Sequence, residues 1–291
     1  MNMGLRALTK PGDSLVIQLP SYPPILNANS HHGLARRDAF LVRAGSGRYE
    51  IDWRSFESAL DETARVFVLC NPHNPVGRVF SPEELRQVAE ICLERNVWIV
   101  SDEIHCDLVL GGNVHTPIAS LSPEIASRTI TLMAPSKTFN LAGLKAAVAI
   151  IPDPELRARF EAAKGGLVGA VNVLGYTAMT AAYRDCDDWL KALTAYLAAN
   201  RDFLTTFVRE RMPGITVRPA EATYLAWLDC NALDLPDNDP FTWFLEHARV
   251  GLGDGANFGP TGKGFVRLNF GCPRSLLTEG LERMEQALAG R

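Results

Sequence analysis

Five side chains of unlike chemistry follow four apolar, β-branched runs. Tyr22 lies in "PSY", after "SLVIQL" (14–19). Asn74 lies in "NPHNPVG", after "RVFVLC" (65–70). Asp102 and His105 lie in "SDEIH", at the close of "NVWIVS" (96–101). Lys137 ends "APSK", after "RTITLM" (128–133). Lysine is seldom fully buried, so Lys137 taken alone reads as a solvated loop residue. Its company changes that reading. A core has no use for a ring, an amide, a carboxylate and an amine delivered together, and an unpaired charge at a buried strand end is costly.

This set meets the requirements of pyridoxal 5′-phosphate. The cofactor needs a lysine to carry it as a Schiff base. It also needs a carboxylate beside its ring nitrogen, which keeps that nitrogen protonated so that the ring can accept carbanion electrons. Opposite charges about 4 Å apart are worth roughly 4 kcal/mol at an effective dielectric of 20, equivalent to several pKa units. The ring face needs a flat partner and the phenolic oxygen needs donors. Tyr22, Asn74 and His105 are the candidates, with His105 also readable as a satisfied core histidine.

The elements that must position these residues are legible. The runs above, with "AAVAII" (146–151), are too continuous for half-exposed strands and predict strands covered on both faces. Between them lies "SPEELRQVAEICLERN" (81–96), where Ser81, Pro82 and Glu84 make a capping box and Leu85, Val88, Ala89 and Cys92 share one face. Strand–helix alternation predicts an α/β fold with a mainly parallel central sheet, and such sheets bind ligands beyond the carboxyl ends of their strands. "FLVRAGSGRYEIDW" (40–53) reads as two extended pieces around a Gly-Ser-Gly turn. The stretch from Asn172 to Met212 reads as helical, broken at "RDCDD" (184–188). Beyond Gly214 the chain alternates again, giving a smaller α/β unit. The expected division is a large domain over 1–190, then a long connecting helix and small C-terminal domain over 191–291. "MNMGLRALTKPGD" reads as the last turns of a helix, so an N-terminal segment is expected to be missing.

The chain resembles the fold-type I pyridoxal-phosphate enzymes of the class I/II aminotransferase superfamily, and within it the cystathionine β-lyase (C–S lyase) branch. The resemblance rests on "PSYPPI" (20–25), "NPHNPVG" (71–77), "SDEIHCDL" (101–108), "SKTFNLAGL" (136–144), "EATYLAWLDC" (221–230) and "FVRLNFGCPR" (265–274), in family order over nearly the whole chain. It implies Lys137 as the Schiff-base lysine, Asp102 as partner of the ring nitrogen, Asn74 as donor to the ring oxygen and Tyr22 as the stacking aromatic. It implies Ser136 and Lys145 on the cofactor side, and Arg267 on the substrate α-carboxylate, where a guanidinium fork suits two parallel hydrogen bonds. Lys145 stands where the aminotransferases often have arginine, and can act only as a point charge. It reads equally as a solvated lysine. The family also implies a homodimer. The activity implied is β-elimination from L-cystathionine or a related S-substituted cysteine. Two other readings stay open: an aminotransferase using the same residues, and a non-catalytic remnant acting as a binding or dimerising protein.

Composition narrows the remaining classes. With 291 residues, 47% hydrophobic and 21% charged, the chain can bury a large core. A net charge of −4 without a basic block gives no basis for capture of nucleic acid or an anionic membrane. No apolar run approaches the ~20 residues of a membrane span. The six cysteines form no C-x-x-C pair and the histidines no H-E-x-x-H. The expectation is a reduced cytoplasmic protein with neither disulfides nor a metal site. "GLGDGANFG" (251–259) does not run from a strand into a helix, so it is not a dinucleotide loop; the resemblance implies a loop at the substrate side of the pocket.

Overall fold

The computed structural model describes residues 1–290. Seven strands form the main sheet: β1 (Ser14–Leu19), β2 (Ala35–Arg43), β3 (Tyr49–Ile51), β4 (Ala64–Cys70), β5 (Trp98–Asp102), β6 (Thr129–Met133) and β7 (Val148–Ile150), in the order β3-β2-β1-β4-β5-β6-β7. The inner five run parallel, and the two edge strands run antiparallel to their neighbours.

Side-chain alternation along the strands divides the core between the two faces. Val16, Phe67, Leu69 and Ile99 pack with the helices Trp53–Ala59 and Pro82–Glu94. Leu15, Ile17, Val66, Val68, Val100 and Ile130 pack with Leu5, Leu8 and Leu156 from the helices Asn2–Leu8 and Pro154–Lys164. The helix Pro82–Glu94 carries the expected capping box: Ser81 accepts from Glu84 N, and the Glu84 carboxylate accepts from Ser81 N at 2.8 Å.

A second, antiparallel sheet has the order β10-β11-β9-β8, formed by β8 (Thr216–Val217), β9 (Leu225–Asp229), β10 (Gly253–Asp254) and β11 (Phe265–Asn269). It has its own core with the helices Asp187–Arg211, Pro240–His247 and Arg274–Ala289. The break inside the helical stretch falls at Cys186, between Val173–Asp185 and Asp187–Arg211.

Two details differ from expectation. The run 146–151 is not covered on both faces, because all three residues of β7 are exposed. Its β-branched residues give it strand propensity, but as an edge strand it is paired on one side only. Within 251–259, Gly253 and Asp254 form the short β10, paired with β11, and the rest is loop and 3-10 turn.

Candidate active site

The carboxyl ends of β1, β4, β5 and β6 open on one hollow of about 190 Å³, lined by Tyr22, Asn74, Asp102, His105 and Lys137 from the main sheet, and by Tyr224 and Arg267 from the second. That volume lies below the ~300 Å³ at which drug-sized pockets begin, which suits a single-ring ligand better than a dinucleotide.

Each side chain is placed by local bonding. Asp102 ends β5, and its Oδ1 accepts from Ile104 N at 3.2 Å. It lines the hollow, and burial pushes its carboxyl above the usual range. Behind it, Glu103 is fully covered and held by Ser101 Oγ (2.9 Å), His115 Nε2 (2.8 Å) and Ile118 N (3.3 Å). The turn carrying Lys137 closes through Phe139 N to Pro135 O and Leu141 N to Ser136 O. It is tied to the β5 turn by Thr138 Oγ1 donating to Asp107 at 2.9 Å. Arg267 Nη1 donates to Asn74 Oδ1 at 3.0 Å, and the guanidinium lies over the Phe258 ring at 4.8 Å. Desolvation lowers the Arg267 pKa.

His105 is buried, and its Nδ1 has no partner among the described residues. Burial first, then the charges of Lys137 and Arg267, push it down to about 3, so the ring is neutral near pH 7. Ser136 and Lys145 fall outside the lining: Ser136 is half-buried beside Lys137, and Lys145 is exposed. Tyr224, Cys70 and Ile104 line the hollow without having been singled out from sequence. For Tyr224 a signal was present, since it sits inside "EATYLAWLDC". No cluster of His, Cys, Asp or Glu arranged for a metal occurs among the described residues.

Asp102 is a buried acid with no ion pair at contact distance among the described residues, although the Met1 ammonium and Lys137 are within electrostatic reach of it. The buried His105 nitrogen has no partner. A protonated pyridine ring with a phenolic oxygen would answer both. The residues fit pyridoxal phosphate. The sequence pattern described as aminotransferase class I and II matches residues 1–284. The chain belongs to the class I and II aminotransferase family. Its cofactor is pyridoxal 5′-phosphate. Over 295 residues it is 42% identical to the cystathionine β-lyase PatB of Bacillus subtilis (strain 168), a match covering 99% of this chain and 75% of that protein. Cystalysin from Treponema denticola, whose structure contains pyridoxal 5′-phosphate, superposes with a TM-score of 0.95 at 34% identity, over 99% of this chain and 74% of that one. The pyridoxal-phosphate-bound C–S lyase of Staphylococcus hominis superposes with a TM-score of 0.93 at 32% identity, over 99% and 75%.

Proposed function

We propose that this member of the family is a C–S β-lyase that splits L-cystathionine or a related S-substituted cysteine into a thiol, pyruvate and ammonia. The observation carrying this reading is that the Lys137 amine, the Asp102 carboxylate and the Arg267 guanidinium line one hollow. When bound, pyridoxal phosphate supplies an electron sink conjugated to the substrate Cα. Lys137 would hold the cofactor, and its free amine would take the Cα proton. Asp102 would keep the proton on the ring nitrogen. Asn74 Nδ2 would donate to the ring oxygen, since Arg267 already engages Oδ1. Tyr22 would cover the ring face, and Arg267 would grip the α-carboxylate. Ser136, immediately before Lys137, and Lys145, eight residues after it, stay assigned to the cofactor side through the family resemblance alone. The Cβ–S bond then breaks with its electron pair leaving on sulfur, and water converts the three-carbon fragment to pyruvate and ammonia.

Purified protein given cofactor and cystathionine should release pyruvate and homocysteine, and Lys137→Ala should abolish both this release and the visible absorbance of lysine-bound cofactor. Amino transfer to a keto acid without pyruvate would instead make it an aminotransferase. Cofactor binding without either reaction would leave a binding protein.

Three further readings belong here. The division at residue 190 is supported by the separate core of the second sheet, which draws only Leu108 and Leu110 from before it. A homodimer is supported by exposed Leu167, Val173, Leu174 and Tyr176. A cytoplasmic site is supported by six free cysteines. No helix among the described residues is long and apolar enough to cross a membrane.

A further inference from the structure

The segment 221–224 forms a crosspiece between two loops of the main sheet. Glu221 N and Ala222 N both donate to Gly77 O, at 2.8 and 3.1 Å, in the loop that presents Asn74. Leu110 N donates to Glu221 O and Thr223 N to Leu108 O, both at 2.8 Å, in the stretch that follows His105. Thr223 is fully buried and has φ +72°. That left-handed region is an outlier for a β-branched residue and marks strain that the surroundings must hold. The hold is visible: besides its own N–H bond, Thr223 Oγ1 accepts from Leu225 N at 3.1 Å.

The strained turn has a consequence for Tyr224. The chain turns at Thr223 and sends the next side chain into the hollow, where the ring meets His105 edge-on at 6.0 Å between centroids. Phe270 N donates to Tyr224 O at 2.9 Å and fixes the residue beside the strand end that carries Arg267. Tyr22 and Tyr224 line the hollow together with Arg267. Neither phenol oxygen has a hydrogen-bond partner among the described residues.

We propose that Tyr224 is a substrate-binding residue whose hydroxyl donates to the α-carboxylate held by Arg267, and that Thr223 is the positioning residue that keeps it there. The proposal rests on Arg267 being the carboxylate site. It adds a neutral donor to the guanidinium fork, which completes the oxygens' hydrogen bonding without adding charge.

The test measures propionate binding to the full chain by titration calorimetry, beside KM and kcat for cystathionine. Tyr224→Phe should weaken propionate binding and raise KM by about tenfold, the loss of one hydrogen bond to a charged group, with kcat and cofactor absorbance little changed. Thr223→Val removes the Oγ1 acceptor at constant shape and should reproduce that KM rise. Thr223→Gly, which adopts positive φ without strain, should bind propionate within about threefold of the parent. Unaltered binding in Tyr224→Phe overturns the proposal, as does a Thr223→Gly variant weaker than Thr223→Val. Unaltered binding in Arg267→Ala would overturn the carboxylate reading beneath it.

Discussion

Arg267 Nη1 donates to Asn74 Oδ1 across 193 positions of chain and 3.0 Å of space. The bond joins β11 of the second sheet to the loop after β4, and it decides which end of the Asn74 amide faces the hollow. Two functions thereby share one contact: the guanidinium is braced for a carboxylate, and the amide is turned to offer Nδ2. Replacing Arg267 by lysine keeps the charge but removes the fork. At roughly 1.5–3 kcal/mol for each charge-assisted bond lost, KM should rise about ten- to a hundredfold. Steady-state kinetics on cystathionine checks this, and the visible cofactor band should persist.

Asp102 has the opposite need. Burial alone drives its carboxyl toward the neutral form, and a protonated ring nitrogen beside it reverses that preference. Asp102→Asn keeps the shape and removes the charge. Losing about 4 kcal/mol of ion pairing should lower kcat by about three orders of magnitude. Spectra should still show lysine-bound cofactor.

Much of this arrangement was legible in the chain. The capping box at Ser81 and the four strand ends depend on neighbours close in sequence, so local pattern suffices for them. Tyr224 was legible only as a member of the motif "EATYLAWLDC", and its reach into the hollow was not, because that depends on the left-handed turn at Thr223 and on bonds to Gly77 and Leu108. The same limit applies to β7, where strand propensity says nothing of what covers it. Lys145 shows the limit of a motif: the position is matched, yet the side chain is exposed outside the hollow.

Gly77 has φ +70°, and a Cβ there would come within 2.7 Å of Ala220 Cβ and 3.2 Å of its Cα. Gly77 O also accepts both crosspiece N–H groups. Gly77→Ala therefore meets a backbone penalty and a clash that no side chain can relieve. A loss of about 2–4 kcal/mol is expected, read as a lower urea midpoint at unchanged slope.

Acid should weaken the fold through two buried histidines. His105 lies at about 3 and His73 at about 4, in both cases chiefly through desolvation. His73 also faces two carbonyls, Pro20 O at 2.8 Å and Cys70 O at 3.2 Å, and its neutral ring donates to only one. Both folded values lie below the unfolded value near 6.5. Between these limits the unfolded chain binds more protons, so stability is complete above pH 6.5 and is lost as pH falls toward 4. At pH 5 the loss is about 2 kcal/mol for each histidine. The cofactor-free protein should melt markedly lower at pH 5 than at pH 7, and His105→Gln should shrink that gap. An unchanged gap would mean that His105 is protonated in the folded state.

The apolar patch around the start of the helix Val173–Asp185 sets the last expectation. Leu167, Val173, Leu174 and Tyr176 are 64, 76, 68 and 62% exposed, a density of large apolar side chains that a surface facing only water seldom carries. Covering each contributes roughly 1.5–3 kcal/mol, enough in sum to offset much of the entropic cost of association. A second copy of the chain is the proposed cover. Light scattering should then give twice the chain mass for the parent. Leu174→Glu with Tyr176→Asp should give a monomer with an unaltered far-ultraviolet spectrum, since neither side chain is part of a core. A parent that scatters as a monomer at micromolar concentration would remove the dimer from the account.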